Sequence, residues 1–100
     1  MKREVIITKT AQKKLNTLFN YLIENWSSKV KSDFINKLDK NIDLIKQHPE
    51  SFLSSKKRIG LHKCVITKQV TLFYRFNAKN IIVTTIFDTR QNPDKLNKDL

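Results

Sequence analysis

With 100 residues, 39% of them apolar, the chain has room for one domain built around one core. A single cysteine excludes an intrachain disulfide and a multi-cysteine metal site, and a single glycine excludes a phosphate-cradling glycine loop. The net charge of +11 at pH 7 points to polyanions or acidic proteins as partners.

The opening "MKREVIITKT" holds only three consecutive apolar residues before Lys9, too few for a signal peptide. No later run is long enough to cross a bilayer. Together with the lone Cys64, this predicts a cytoplasmic protein with no membrane partner. "REVIIT" is short and β-branched and predicts a first strand. Thr8 or Thr10 can cap the helix that follows, in which Ala11, Leu15, Leu18, Phe19, Leu22, Ile23 and Trp26 draw one apolar stripe. Ser27 or Ser28 can cap a second helix, whose stripe is Val30, Phe34, Leu38, Ile42 and Ile45. Pro49 disfavours helical geometry at His48, so this helix ends near there, and His48 serves as a cation by the helix C-terminus.

"HKCVIT", "VTLFYRF" and "NIIVTTIF" predict three more strands, joined by turns at Lys68-Gln69 and at Asn77-Ala78-Lys79-Asn80. The order is β-α-α-β-β-β, an α+β fold in which an antiparallel sheet carries a helical hairpin on one face. One such domain accounts for residues 1–100. In the middle strand Val70, Leu72, Tyr74 and Phe76 face one way, and Thr71, Phe73 and Arg75 the other. With the helices over Leu72 and Tyr74, Arg75 stands on the open face. Phe19, Trp26, Phe34, Tyr74 and Phe76 fall on core stripes, which leaves Phe73 as the one candidate for an exposed base-stacking ring.

Residues 51–90 hold eight Lys/Arg against one acid, while the other sixty hold twelve against eight. The candidate functional cluster is therefore Lys56, Lys57, Arg58, His62, Lys63, Lys68, Arg75 and Arg90, guanidinium and ammonium groups suited to phosphates or carboxylates. On their own, Lys56, Lys57 and Lys68 read more simply as solvated loop charges. Arg75 and Arg90 are held by or just after strands and are stronger candidates. Arg90 follows Asp88 by two residues, close enough for the carboxylate to orient it. Cys64, mid-strand among apolar residues, reads as a small buried hydrophobe rather than a nucleophile. His48 and His62 stand apart with no HxxH or CxxC spacing, so neither a metal nor any other cofactor is expected.

In order and spacing, "ITKTAQKKL", "YLIENWSSKVKSDFINKLDKNIDLIKQHPESF", "LHKCVITKQVTLFYRF" and "IIVTTIFDTRQNP" resemble the RelE/ParE superfamily of toxins from type II toxin–antitoxin pairs. That resemblance implies a growth-inhibiting toxin bound by a cognate acidic antitoxin, laid across the basic sheet face or the helical hairpin. One branch of the superfamily cuts messenger RNA on the ribosome and the other poisons DNA gyrase. For a metal-independent ribonuclease, Arg58 or Lys63 matches the basic residue of the second strand and Arg90 the arginine after the last; His62 and Arg75 complete that catalytic set. For a binding protein, Lys56, Lys57, Arg58, Lys63, Arg75, Asp88 and Arg90 form the partner or target surface. Against cleavage, no aromatic or His follows Phe87, Asp88 stands near where relatives often have His, and Lys14 replaces an acid common in the first helix. The two long helices resemble the gyrase-poison branch, which is slightly favoured. A basic nucleic-acid-binding module without toxicity is the remaining alternative.

Overall fold

The structure, a computed structural model, describes residues 3–52, 54 and 60–88. Strand β1 (Glu4–Ile7) leads into helix α1 (Lys9–Asn25), helix α2 (Ser28–Gln47) and a 3-10 turn at Pro49–Ser51. Strands β2 (His62–Val65), β3 (Val70–Phe76) and β4 (Asn80–Asp88) follow. The chain order is the expected one. The sheet runs β1-β4-β3-β2, and the β2–β3 and β3–β4 pairs are antiparallel. Strand β1 instead joins β4 in parallel, so the sheet is mixed. Parallel pairing requires a crossover, and the helical hairpin is the first part of the connection that supplies it.

Both helix starts are fixed by hydroxyl caps. Thr8 accepts a hydrogen bond from the Ala11 amide (3.2 Å) and Ser27 one from the Val30 amide (3.2 Å). The Thr8 hydroxyl also donates to the Thr84 carbonyl (2.9 Å), tying the start of α1 to β4. Helix α2 ends where Pro49 dictates: His48 is the C-cap, and its amide still donates to the Leu44 carbonyl at 2.9 Å. The hairpin turns form without glycine and without positive φ outside Gly60 among the described residues. In one, the Asn77 side chain accepts from the amides of Lys79 (2.9 Å) and Asn80 (2.8 Å), an Asx turn that substitutes for glycine's freedom.

The alternation along β3 divides the sheet. Val70, Leu72 and Tyr74 face the helices, where Leu15, Leu18, Phe34, Leu38 and Ile45 meet them. The register shifts between Phe73 and Tyr74: Phe73 pairs with Thr85 and Tyr74 with Val83, which leaves Thr84 as an extra residue in β4. This bulge lets Ile81, Val83 and Ile86 all reach the helical core although their spacing breaks strict alternation. The unpaired groups it creates find partners, since Thr84 also donates to the Phe73 carbonyl (3.3 Å).

Two expectations about aromatic residues are corrected. Trp26 is 65% exposed, because it is the C-cap of α1 and its non-helical backbone (φ −130°, ψ −97°) takes it off the buried stripe, whose last buried member is Leu22. Phe73 is buried, not an exposed ring: it packs with Leu61 and Phe87 in a small second cluster on the face away from the helices. Phe19 and Phe34 do pack on the helical side, edge to face at 6.2 Å.

The two caps differ in a way that stability measurements resolve. Thr8 serves α1 and β4 together in a half-buried position, whereas Ser27 makes one exposed bond. In urea denaturation, Thr8→Ala is expected to cost about 2 kcal/mol and Ser27→Ala about 1 kcal/mol or less.

Candidate functional site

Lys63 on β2 pairs with Phe73, and Arg75 on β3 pairs with Ile82. Facing residues of paired strands point the same way, so both cations stand on the sheet face opposite the helices. They are diagonal neighbours on adjacent strands, roughly 7–8 Å apart by sheet geometry. Both are half-buried. The Leu61–Phe73–Phe87 cluster lies beside them, so this face is a cationic pair against an apolar mound rather than a bare basic sheet. Thr85, fully buried, lies on the same face, and its Oγ1 has no hydrogen-bond partner among the described residues.

His62 is not with them. It pairs with Tyr74 and so faces the helical side. Its ring stacks on Tyr74 (centroids 5.5 Å, 22° between planes) and tilts against Phe76 at 5.1 Å. The Phe52 carbonyl lies 3.1 Å from His62 Nδ1, and since a carbonyl only accepts, Nδ1 donates. The neutral ring therefore carries its proton on Nδ1 and keeps Nε2 as acceptor. Tyr74 in turn donates from its hydroxyl to the Pro49 carbonyl at 2.6 Å. At the far end of the column the Arg3 guanidinium sits 5.6 Å from the Phe76 ring centroid, and Arg3 Nε donates to the Asn77 carbonyl at 2.7 Å. This aromatic column joins the segment after α2, two strands and the N-terminal arm.

Asp88 also departs from the cationic pair. It ends β4 opposite Val70, which places it on the helical side of the sheet. Lys68 is exposed in the β2–β3 turn. Lys56, Lys57, Arg58 and Arg90 lie outside the described residues. Of the sequence-predicted set, the fold thus brings Lys63 and Arg75 together and separates His62 and Asp88 from them. Arg3 and Gly60 were not among the candidates. Arg3 gains its place only through the parallel pairing of β1 with β4, which no local pattern signals.

Cys64 is buried, as expected, and its thiol lies 3.5 Å from Asn41 Oδ1. Burial pushes its pKa up to about 11. Tyr74 is also pushed up, first by burial and then by the neighbouring Cys64 and Glu50 charges. A thiol that resists ionisation is a poor nucleophile. Among the described residues no cluster of three or more His, Cys, Asp or Glu could hold a metal ion, and no helix is long and apolar enough to cross a membrane. On the helical side a groove of about 290 Å³ opens between the hairpin and the β2–β3 turn. Leu18, Leu22, Val30, Phe34 and Val70 give it apolar walls, and Asp33 and Lys37 add charge.

The thiol makes a pH prediction. An unfolded cysteine ionises near 9.0, whereas folded Cys64 holds its proton to about 11. Its contribution to stability is complete below the lower value and drains away as pH rises through the higher one. Between about pH 8 and pH 10.5 the native chain should lose about 2 kcal/mol more than Cys64→Ala in urea denaturation.

A family model described as "ParE toxin of type II toxin-antitoxin system, parDE" matches residues 5–93. Among solved structures, the chain is similar to one titled "Chromosomal ParDE TA system from P. aeruginosa". The TM-score is 0.71 at 11% identity, covering 87% of this chain and 96% of that one, a likeness of fold. No curated protein matches.

Proposed function

Because the chain belongs to the ParE toxin family of type II toxin–antitoxin systems, we propose that it halts bacterial growth by binding DNA gyrase, without cutting nucleic acid, and that an acidic antitoxin holds it inactive. The observation that carries the non-enzymatic part is the division of the sheet. Cleaving RNA needs a base for the 2′-hydroxyl, a donor to the leaving oxygen and cations for the developing charge. Lys63 and Arg75 supply cations. His62, the described imidazole nearest to them in sequence, stands on the opposite face with one nitrogen committed to the Phe52 carbonyl. Cys64 is buried with its proton firmly held. In this reading the cationic face serves to bind anions rather than to move protons.

The antitoxin in this reading answers the +11 charge with acidic residues. It lies across the cationic face or against the hairpin, where the groove beside Leu22 and Phe34 accepts apolar side chains. Ribosome-dependent cleavage of messenger RNA is the competing reading, with Arg58, Lys63, Arg75, Arg90 and His62 as its catalytic set. A basic module without toxicity is disfavoured by family membership and would produce no growth defect on induction.

Purified protein is expected to inhibit supercoiling by DNA gyrase at micromolar concentration and to leave messages of induced cells intact in primer extension. Cuts within codons, with supercoiling unaffected, would reverse the assignment. Arg75→Ala and Lys63→Ala should each weaken growth inhibition about tenfold or more while the fold survives, as expected for lost charge-assisted contacts at half-exposed positions. His62→Gln, which keeps a side-chain donor for the Phe52 carbonyl, should leave growth inhibition within about twofold of native. A loss as large as that of Arg75→Ala would instead favour proton transfer by His62.

A further inference from the structure

We infer that Gly60 is a positioning residue: its missing side chain forms the seat that holds the Arg75 guanidinium in place on the cationic face. The inference rests on the reading of Arg75 as a binding residue and adds to it the reason the arginine is held where it is.

Gly60 is the only glycine in the chain. Its φ is +79°, in the left-handed region where a Cβ crowds the backbone and glycine is at ease. A Cβ built at this position would lie 3.1 Å from Arg75 Nη1, tighter than ordinary van der Waals contact. The sole glycine therefore stands at the one positive φ of the described residues, with the end of the Arg75 side chain lying against it.

The surroundings explain why Gly60 stays put. Leu61, the next residue, is 1% exposed and locked against Phe73. His62, one further, is bonded through its ring to Phe52 and paired by its backbone with both Tyr74 and Ser54. The backbone at residue 60 enters β2 from an anchored position. Arg75 is equally fixed at its root, mid-sheet between β2 and β4. Two rigid strands thus bring a guanidinium and a glycine into contact, and the flexible partner is the arginine tip. A side chain at 60 would displace the guanidinium rather than the sheet. A planar fork that donates two parallel bonds to a carboxylate or phosphate depends on orientation, so a displacement of this kind weakens binding without unfolding the protein.

The test uses Gly60→Asn, because asparagine tolerates left-handed backbone while adding a Cβ and an amide. The Arg75 Nε–Hε resonance, assigned by its absence in Arg75→Ala, reports the guanidinium directly. Gly60→Asn should stay folded, move that resonance toward the position of free arginine, and weaken growth inhibition about tenfold, approaching Arg75→Ala. An unmoved resonance would overturn the seat, whatever the growth assay shows. Should Gly60→Asn fold poorly, the Gly60→Asn/Arg75→Ala double variant decides: recovery of folding shows that the guanidinium was the obstacle, and no recovery shows that Gly60 answers only to its backbone. If Arg75→Ala alone retains native growth inhibition, the binding role of Arg75 fails. The resonance in Gly60→Asn still decides the seat by itself.

Discussion

Strand β3 has to satisfy two layers with alternate residues. Val70, Leu72 and Tyr74 must reach the helical hairpin, so Thr71, Phe73 and Arg75 are committed to the other side. A slip of one residue would bury Arg75 under the helices and expose Tyr74, now fully buried, so the register is strongly held. Its neighbours follow from it. Lys63 is set by pairing with Phe73, and His62 is turned inward by pairing with Tyr74. The bulge at Thr84 is the local adjustment that lets β4 keep Ile81, Val83 and Ile86 on the same buried side.

The same constraint separates two kinds of side chain that a ribonuclease would need together. Lys63 and Arg75 stand on one face, and the histidine sits on the other inside a column that runs from Phe52 to Arg3. There its ring helps tie the segment after α2 to the sheet, through Phe52 and through the Tyr74 bond to Pro49. In the proposed function His62 is architectural, with its Nδ1 proton directed at the Phe52 carbonyl, and the cationic face is a surface for recognition carried by paired strands.

Much of this was legible in residue order. The helix stripes, the hydroxyl caps, the stop at Pro49 and the alternation in β3 are local patterns with direct physical meaning. The placement of Arg75 opposite the helices followed from that alternation alone. What was not legible depends on partners far apart in sequence. Trp26 fits the helical stripe by spacing, but the helix ends before its ring can be buried. Phe73 faces away from the helices by alternation, but Leu61 and Phe87, both distant in sequence, cover it. His62 belongs to the basic cluster by charge type, but strand alternation puts it and Lys63 on opposite faces. The parallel pairing of β1 with β4, which brings Arg3 to Phe76, has no signature in either strand.

The central claim is that the face away from the hairpin meets the target. Photo-cross-linking tests it most directly, with a photoreactive amino acid placed at position 63 in one variant and at position 13, on the helical layer, in another. The account predicts that induced cells yield an adduct with a DNA gyrase subunit from position 63 and none from position 13. Adducts from position 13 alone, or adducts from position 63 with ribosomal components in place of gyrase, would contradict it.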